Sequence, residues 1–521
     1  MGHMLLERIA TTSRAIAATR SRLAKRALIA EVLREAGPDE IELAVTFMSG
    51  TLRQRRTGLG WASLQDLPPP AASPTLTLSA VDQAFATIAA LAGQGSGSSR
   101  TQAANALFAG ATEAEQELLR GLIFDEVRQG ALDSLVQDGL AEAYDIPTAT
   151  LRRAAMLLGS TPAAASLLAH GGVAALEAVT LRVGQPVRPM LAASAPDVTT
   201  ALEKAGLPCV VDFKLDGIRV QIHRDGSTVR VYTRSLDDIT DRVPEIVEVV
   251  LALPSQRLVL DAEALALRPD GIPHQFQVIA SRTASRVDVA AMRKQTPLSL
   301  FCFDVLHVDG RDLLDEPLRD RIELMAQVLP PELVVPRAVA DDADTVTTAF
   351  ATAVDDGFEG VVLKRLDAPY AAGRRDSGWV KVKPRHTFDL AVIGAEWGHG
   401  RRTGKLSNLH LAARDPDTGE LVMLGKTFKG LTDEILAWQT EQMLARQSRS
   451  TAGTVFIDPP LVAEIACDGF QASTRYPGGI ALRFARVIGY RDDLDVGDVD
   501  SLETITSLTT QKSDTASEQP G

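Results

Sequence analysis

The amino-terminal third of the chain carries apolar residues at helical spacing. In residues 113–124, apolar side chains recur every three or four positions, which is typical of an amphipathic helix. Helix-like segments resume after the proline run 68–70 and after the Gly- and Ser-rich run 93–99, so both runs are predicted to be internal loops. The pattern predicts an all-α domain over residues 4–183.

From about residue 208 the apolar period changes to that of β-strands. Two alternating runs, 218–223 and 228–233, flank an Asp-Gly pair and predict a β-hairpin. Further strand-like runs, with helical segments between them, predict an α+β domain over residues 184–384. These runs lie at 257–267, 298–308, 359–364 and 378–383.

The last quarter of the chain combines short β-rich runs with many glycines. This pattern predicts a small β-barrel over residues 385–507. Residues 508–521 are polar and lack periodicity, which predicts a disordered tail. The expected fold class is therefore multidomain, with an all-α domain, an α+β domain and a β-barrel domain in that order.

Length and composition exclude several classes of protein. The chain has 521 residues, 45% of them hydrophobic, which suffices for about three domains with ordinary cores. Its three cysteines lie far apart and form no Cys-x-x-Cys pair, which argues against a local zinc module or a disulfide framework. No run approaches the roughly 20 apolar residues of a membrane helix, so we expect a cytoplasmic protein that has no membrane partner.

The charge is unevenly distributed along the chain. A net charge of -13 argues against a nucleic-acid partner when it is taken alone. However, residues 1–60 contain ten Lys and Arg against six Asp and Glu, residues 374–430 contain eleven against six, and residues 491–521 contain two against eight. Two basic segments can grip a polyanion from two sides, although scattered solvated charge explains these counts equally well.

Lysine is rare in this chain, with 11 lysines against 43 arginines, so each lysine is informative. Unlike arginine, lysine can lose its proton and act as a nucleophile. Lys214 follows the apolar run 209–213 and precedes Leu215-Asp216-Gly217, which predicts an amine at a strand end beside a cleft. Taken alone, this position is explained more simply by a surface lysine.

Two further lysines lie in a segment with the pattern of a strand. In residues 379–383 the period of two places Trp379, Lys381 and Lys383 on one face, so two ammonium groups are predicted to point into one cleft. Two glycine-containing segments do not match the spacing of a phosphate-binding loop. Residues 400–406 are one residue short of a phosphate-binding loop, and Glu420 stands where such a loop ending at 425–427 needs its first glycine.

Six short strings follow one another between residues 214 and 383. They are Lys214-Leu215-Asp216-Gly217 with Arg219, Thr233-Arg234-Ser235, Asp261-Ala262-Glu263, and residues 301–306, 359–364 and 379–383. Taken in order, they resemble the nucleotidyl-transfer motifs of ATP-dependent DNA ligases. Outside these strings, residues 127–132 resemble the DNA-gripping signature of the helical domain in three-domain archaeal and replicative ligases, and residues 475–486 resemble the end of their barrel. The likeness covers about residues 5–505 and is strongest to the accessory ligases of mycobacteria.

The resemblance implies a role for each domain. It implies a helical DNA-binding domain at 4–183, an adenylation domain at 184–384 and an oligonucleotide-binding (OB) fold at 385–507. It also implies that Lys214 is the catalytic residue that takes AMP from ATP, that Phe303 stacks on adenine and that Val361 closes its other side. The full set of cofactor contacts expected is Asp212, Arg219, Arg234, Glu263, Phe303, Val361, Arg374, Lys381 and Lys383.

Metal and DNA contacts are expected on the same basis. Glu263 and Glu359 are carboxylates of the kind that Mg²⁺ prefers, with Mn²⁺ as an alternative ion, although strand-end carboxylates commonly form salt bridges instead. The expected DNA contacts are Arg128, Lys405, Lys426 and Lys429, and the expected barrel-motif residues are Arg483, Arg486 and Arg491.

Two positions depart from the family pattern. The barrel of the family usually ends in Arg-x-Asp-Lys, but here Arg491-Asp492-Asp493 is followed by Leu494 and then by an acidic run. A cation that helps to orient pyrophosphate is therefore missing, and we expect slow self-adenylylation. Asp212 stands where the family usually has glutamate, at a position that the resemblance places near the adenine.

The expected function is ATP-dependent sealing of nicks between a 5′-phosphate and a 3′-hydroxyl in duplex DNA. We expect a monomer in the cytoplasm, associated with the nucleoid, with ATP, Mg²⁺ and nicked double-stranded DNA as its partners. Two alternatives stay open. A capping-type nucleotidyltransferase that uses GTP is disfavoured by the helical domain, and a non-catalytic or weakly active nick-binding homologue is favoured only by Leu494.

Overall fold

The computed structural model describes residues 3–507, apart from 128, 131–132, 269–270, 272, 275, 286–287 and 373–377. The predicted tail, 508–521, lies outside the described residues. Three domains follow one another in the predicted order: helical, α+β and β-rich. Across the described ranges, no helix combines the length and the apolarity needed to cross a membrane.

The amino-terminal domain packs its helices around one apolar core. Its first helices alternate buried apolar positions with exposed polar ones, as the sequence pattern predicts. The helices are α1 (Leu6–Ala18), α2 (Arg22–Glu35), α3 (Ile41–Met48), α4 (Leu78–Ala90), α5 (Ser96–Ala109), α6 (Glu113–Ile123), α7 (Asp133–Ala143), α8 (Thr148–Leu157) and α9 (Thr161–Glu177), the last interrupted at Gly172 (φ +67°).

The predicted loop at 93–99 is too long. Helix α5 begins at Ser96, directly after Gly95, which adopts the left-handed conformation (φ 81°). Serine and glycine are tolerated in the first turn of a helix, and the segment that follows buries Leu107 and Phe108 in the core. Burial of these two side chains therefore extends the helix into a run whose composition indicates a loop.

The middle domain contains two five-stranded sheets, with the strand orders β1-β10-β9-β2-β8 and β4-β3-β5-β6-β7. The strands are β1 (Ala193–Ala195), β2 (Cys209–Phe213), β3 (Ile218–Asp225), β4 (Thr228–Thr233), β5 (Arg257–Ala266), β6 (Leu298–Val308), β7 (Arg311–Asp312), β8 (Arg337–Ala340), β9 (Val361–Arg365) and β10 (Trp379–Val382). The helices are α10 (Val198–Ala205), α11 (Pro244–Leu251), α12 (Phe276–Ala284), α13 (Val289–Gln295), α14 (Leu318–Val328) and α15 (Ala343–Asp355).

The β-hairpin predicted around the Asp-Gly pair is confirmed. Strands β3 and β4 pair antiparallel, with Asp225 opposite Thr228. The other strand-like runs of this domain also form strands, which are β5, β6, β9 and β10. Each sheet has its own apolar core, so the chain segment that passes from one sheet to the other lies between two separately packed layers.

The carboxyl-terminal domain wraps an antiparallel sheet around a third core. The sheet has the order β13-β12-β11-β15-β14, with β18 also paired to β15, and β16 pairs with β17 beside it. This arrangement agrees with the predicted small OB-type barrel. Its elements are β11 (His386–Trp397), β12 (Leu406–Arg414), β13 (Leu421–Thr427), α16 (Asp433–Ala445), β14 (Gln447–Ser450), β15 (Thr454–Cys467), β16 (Gly469–Ala472), β17 (Ile480–Arg483) and β18 (Arg486–Tyr490).

Residues 184–190, here called the linker, connect the helical domain to the middle domain. Val187 and Met190 of the linker are fully buried and pack in one apolar cluster with Met156 of α8 and with Tyr370 and Trp379 of the middle domain. The connection between the first two domains is therefore packed rather than loose.

Candidate active site

Lys214 lies where the chain passes from the first sheet of the middle domain to the second. Strand β2 ends at Phe213 and strand β3 begins at Ile218, so residues 214–217 form the crossing. The Lys214 amide donates to the carbonyl of Gly360 (2.7 Å), and its own carbonyl accepts from the amide of Glu359 (2.9 Å). These two hydrogen bonds fasten the Lys214 backbone to the start of β9.

Gly360 permits this close approach of the backbone. It adopts φ +126°, and a Cβ atom at this position would lie 2.2 Å from the Val382 carbonyl oxygen. Any larger residue would push β9 away from β10. The glycine therefore keeps Glu359, which precedes it, directly beside Lys214.

The Glu359 carboxylate lies between two ammonium groups. One oxygen accepts a hydrogen bond from Lys214 Nζ and the other from Lys383 Nζ, and each of the three side chains is less than a quarter exposed. Burial acts to raise the pKa of Glu359, but the charges of Lys214 and Lys383 outweigh it and lower the pKa. The predicted nucleophile and the predicted metal ligand are thus brought together.

Lys381 lies on β10, and Lys383 directly follows its last residue, so the two lysines flank inward-facing Val382. Val380 and Val382 point into the core of the first sheet, whereas Trp379 faces the cluster that contains Phe303 and Tyr370. The pKa of Lys381 is lowered by burial first and then by the positive charges of Lys383, Lys214 and Arg234. A concentration of positive charge therefore surrounds Lys214.

Glu263 approaches Lys214 from the second sheet. It lies on β5 directly opposite Arg219 of β3, and its Oε1 accepts from the amide of Gly217 (3.2 Å). Burial raises the pKa of Glu263 to about 7, against the opposing effect of Lys214 and Arg219. A Cβ atom at Gly217 would lie 2.4 Å from the Ala264 carbonyl oxygen, so this contact also requires glycine.

Arg219 is held by protein groups, which limits its predicted role as a cofactor contact. Its Nε and Nη2 bind both oxygens of Asp261 (2.9 and 2.6 Å), Nη1 donates to the Met190 carbonyl (2.7 Å), and Nη2 also donates to the Tyr370 hydroxyl (3.3 Å). A guanidinium has five N–H donors, so these contacts occupy most of them. The sequence alone did not indicate that the donors of Arg219 are occupied, because their acceptors lie far from Arg219 along the chain.

Arg234 lies on the turn after β4 and lines a shallow depression together with Arg219 and Asp261. The helical domain contacts this turn, because Arg55 pairs with Asp237 and donates to the Ser235 carbonyl (3.3 Å). The turn that contains Arg234 therefore belongs to the middle domain and is also bound by the helical domain.

Phe303 lies beside the site on β6, with its ring edge-on to Trp379 (centroids 5.9 Å apart). The prediction for Val361 does not match its location. Val361 is fully buried in the core of the first sheet, because alternation along β9 directs it inward, and its neighbour Val362 joins the cluster of Phe303 and Trp379 instead. Val362, one position further on, is the residue of β9 that packs on the side of Phe303, and the sequence pattern did not indicate it.

Asp212 is enclosed by two cations and is 2% exposed. Its oxygens lie 2.6 Å from Lys364 Nζ and 3.0 Å from Arg337 Nε. Lys364 is equally buried and lies 4.7 Å from the Phe303 ring centroid, and burial is the main cause that lowers its pKa. Asp212 thus forms a buried ion cluster behind Phe303.

The barrel reaches the site through Arg483. Its Nη1 donates to Oδ2 of Asp216, two residues after Lys214 (3.3 Å). The other two predicted barrel-motif arginines stay within the barrel, because Arg486 lies near Asp468 (3.9 Å) and Arg491 pairs with Asp389 (3.0 Å). The structure thus brings one of these three arginines to the Lys214 segment.

Leu494, at the position of the missing lysine, packs in a small apolar cluster of the barrel with Val462 and Val499. The acidic residues after it are engaged locally, since Asp495 and Asp498 form a capping box and Asp500 accepts from the Asp389 amide (2.8 Å). At this position an apolar side chain that packs inside the barrel therefore replaces the lysine that the family resemblance implies.

The three lysines of the barrel that were predicted to contact DNA lie in different surroundings. Lys426 pairs with Glu396, and the pKa of Glu396 is lowered to about 2, because hydrogen bonds led by that from Lys426 outweigh burial. Lys429 instead lies over the exposed ring of Phe484 (5.2 Å). Lys405 follows the short 3-10 turn Gly400–Arg402 at the start of β12. Two other predicted contacts, Arg128 and Arg374, lie outside the described residues.

Comparisons with known proteins identify the family of this chain. A family model for the "ATP dependent DNA ligase domain" matches residues 189–383, and one for the "ATP dependent DNA ligase C terminal region" matches residues 402–494. A "Probable DNA ligase" of Beutenbergia cavernae is 57% identical and covers 97% of this chain and 99% of its own length. One of Mycobacterium marinum is 52% identical over 97% and 100% of the two chains.

A solved structure described as "Pmar-Lig_PreS3" has the same overall fold. It covers 93% of this chain and 99% of its own, with a TM-score of 0.62 and 18% identity. The three-domain order described above is thus shared with a structure of low sequence identity.

Proposed function

The chain belongs to the ATP-dependent DNA ligase family, and on that premise we propose that it seals nicks through a covalent adenylate on Lys214. Nζ of Lys214 attacks the α-phosphorus of ATP, an N–P bond forms, and pyrophosphate leaves. The AMP then passes to the 5′-phosphate oxygen at a nick. Attack by the 3′-hydroxyl forms the phosphodiester, and AMP leaves.

The observation that carries this proposal is the shared carboxylate between Lys214 and Lys383. Attack requires the unprotonated amine of Lys214, whose Nζ donates to the Glu359 carboxylate at the start of β9. Lys381 and Lys383 then neutralise the negative charge that develops on the transferred phosphoryl group. Phosphoryl transfer depends mainly on positioning and charge, which suits a site built from lysines and carboxylates.

The carboxylates fit a magnesium ion that takes most of its ligands from water and phosphate. Within the described ranges, no group of three or more His, Cys, Asp or Glu side chains could hold a metal by itself. Glu263 is partly buried, and its pKa is raised to about 7 mainly by desolvation, so its charge is incompletely compensated beside Lys214. Glu263 and Glu359 would therefore hold the ion, which supplies neutralisation of phosphate charge when it is bound.

We further propose that the barrel contacts the duplex through two exposed aromatic rings. Phe428 and Phe484 are 53% and 55% exposed, which is unusual for large apolar side chains. Arg402 lies 5.7 Å from the first ring and Lys429 5.2 Å from the second. Aromatic faces flanked by cations can bind bases and phosphates together.

Intact-mass spectrometry tests the first step directly. The protein is stripped with pyrophosphate and incubated with ATP, GTP or NAD in the presence of Mg²⁺. We expect a gain of one AMP from ATP alone, lost when nicked duplex is added. Lys214→Ala should give no adduct and no sealing, whereas Lys204→Ala should behave as the wild type, because Lys204 lies on the exposed surface of α10 and donates to the Ser194 carbonyl.

Three outcomes would contradict this proposal. An adduct formed from GTP would identify a capping-type enzyme. Binding of nicked DNA without an adduct from any nucleotide would identify a homologue that binds nicks without catalysis. An adduct that persists in Lys214→Ala would move the nucleophile to another residue.

A further inference from the structure

The linker is held along its length by polar side chains of the middle domain. The Gly184 amide donates to His223 (3.0 Å), and the Tyr232 hydroxyl donates to the Gly184 carbonyl (2.7 Å). Both backbone groups of Val187 bind the amide of Gln221 (2.8 and 3.2 Å). At Met190 the linker meets Arg219 and Tyr370, so its last anchor lies at the proposed active site.

The Tyr370 hydroxyl joins three groups at that anchor. It donates to Oδ2 of Asp261 (2.7 Å) and accepts from the Met190 amide (3.0 Å) and from Nη2 of Arg219 (3.3 Å). A hydroxyl has one donor and two acceptor sites, so its hydrogen-bonding capacity is fully used. Tyr370 is 2% exposed, and a buried hydroxyl with all its partners in place fixes their relative positions.

The groups that Tyr370 joins are adjacent to the proposed catalytic groups. Asp261 lies two residues before Glu263 on β5, so both side chains share one face of the sheet. Arg219 lies two residues after Gly217 and directly opposite Glu263. A rotation of the Arg219–Asp261 pair would therefore shift the strand positions that present Glu263 and the Lys214 segment.

We propose that Tyr370 is a positioning residue for the ligase reaction, which orients Arg219 through Asp261 and ties both to the linker from the helical domain. This inference rests on the proposed function of Lys214. Tyr370 contacts neither substrate nor the reacting atoms in this role. It acts by keeping the guanidinium of Arg219 at one angle, so that Glu263 and Lys214 keep their separation during adenylylation.

A purely structural role makes a different prediction. Tyr370 also packs edge-on against Trp379 (5.9 Å), so its loss can destabilise the cluster at the domain junction. Destabilisation reduces the fraction of folded enzyme, and hence the amplitude of adduct formation. Misorientation of Arg219 instead reduces the rate constant of the folded enzyme, because the arrangement needed for attack is then populated less often.

Tyr370→Phe, with Tyr232→Phe as the matched control, separates these roles. Both tyrosines bind the linker through a hydroxyl, but among their described contacts only Tyr370 reaches Arg219 and Asp261. Formation of the AMP adduct is followed in single turnovers at several ATP concentrations. We expect the maximal rate constant of Tyr370→Phe to fall about tenfold, with the half-saturating ATP concentration changed less than about threefold, and Tyr232→Phe to stay within about twofold of wild type.

A double variant tests whether Tyr370 acts through Arg219. In an Arg219→Lys background, which keeps the charge but loses the two-point contact with Asp261, Tyr370→Phe should cause no further decrease. Equal effects of Tyr370→Phe and Tyr232→Phe, a loss of amplitude alone, or full additivity with Arg219→Lys would each overturn the inference. Failure of the wild type to form an adduct would instead contradict the proposed function itself.

Discussion

Arg483 of the barrel donates a hydrogen bond to Asp216, the aspartate two residues after Lys214, across 267 positions of sequence. It brings a side chain of the carboxyl-terminal domain to the segment that crosses between the two sheets of the middle domain. Each partner is about one-third exposed, so this single ion pair contributes little to stability. Its consequence is therefore expected in catalysis rather than in folding.

Arg483→Ala should slow nick sealing about tenfold, because the barrel loses its hydrogen bond to the Lys214 segment. The melting temperature should change by less than about 2 °C. Arg486→Ala is the control, since Arg486 lies beside Asp468 of its own domain. Single-turnover sealing by pre-adenylylated enzyme is the measurement, and equal loss in both variants would show that the contact with Asp216 is not what matters.

Phe484→Ala and Phe428→Ala should each weaken binding of nicked duplex by about tenfold, the lower part of the range for a lost aromatic contact with a base. Fluorescence anisotropy with a labelled nicked duplex, at two salt concentrations, gives the dissociation constants. Leu444→Ala on α16 removes another exposed apolar side chain of the barrel and should change nothing. If all three variants bind equally well, the duplex does not use this surface.

The apolar and polar pattern was sufficient to predict strands β2 to β6, β9 and β10 and the hairpin, but not the short strands β1, β7 and β8. It also predicted that Lys381 and Lys383 share a face, which depends only on the period of two. By contrast, the family resemblance implied that Val361 closes one side of the adenine, although this side chain faces the core. A short apolar run such as 361–363 gives no indication of which face is buried.

Side-chain partners from distant parts of the chain were beyond prediction. The engagement of Arg219 with Asp261, Met190 and Tyr370, and the pairing of Lys426 with Glu396, depend on which strands become neighbours. Tyr370 carries no sequence signal of its own, because a tyrosine after a proline is ordinary in a loop. Its importance emerges only from the three partners of its hydroxyl.

Asp212→Asn should destabilise the protein by about 3–5 kcal/mol, because it leaves the buried charges of Lys364 and Arg337 uncompensated. The double variant with Lys364→Met should recover part of this loss, since it removes the more deeply buried of the two cations. Asp367→Asn breaks an exposed pair with Arg365 and should cost less than about 1 kcal/mol. Thermal unfolding of the three proteins is compared, and similar melting temperatures would contradict the buried-cluster argument.

His223 should make the domain junction sensitive to acid. Its Nδ1 accepts from the Gly184 amide and its Nε2 lies 2.9 Å from Gln221 Oε1, so the neutral ring that carries its proton on Nε2 is fully satisfied. Protonation of Nδ1 would place its N–H opposite the Gly184 N–H, so the hydrogen bond between them would be lost. Burial, and then the nearby His307, lower the pKa of His223 from 6.5 to about 4.

The sign of the pH effect follows from that depressed pKa. Between pH 6.5 and 4 the unfolded chain binds a proton at this position and the folded chain does not, so stability falls as the pH falls. At pH 5 the loss amounts to about 2 kcal/mol, or roughly 5 °C in the melting temperature of a unit of about 200 residues such as the middle domain. His223→Gln keeps a polar side chain but has no titratable ring. Between pH 7.5 and 5, its melting temperature should therefore decrease by roughly 5 °C less than that of the wild type. Hydrogen exchange of the linker amides should accelerate at pH 5, after correction for intrinsic rates, in the wild type but not in His223→Gln; parallel behaviour of the two proteins would rule out His223 as the titrating group.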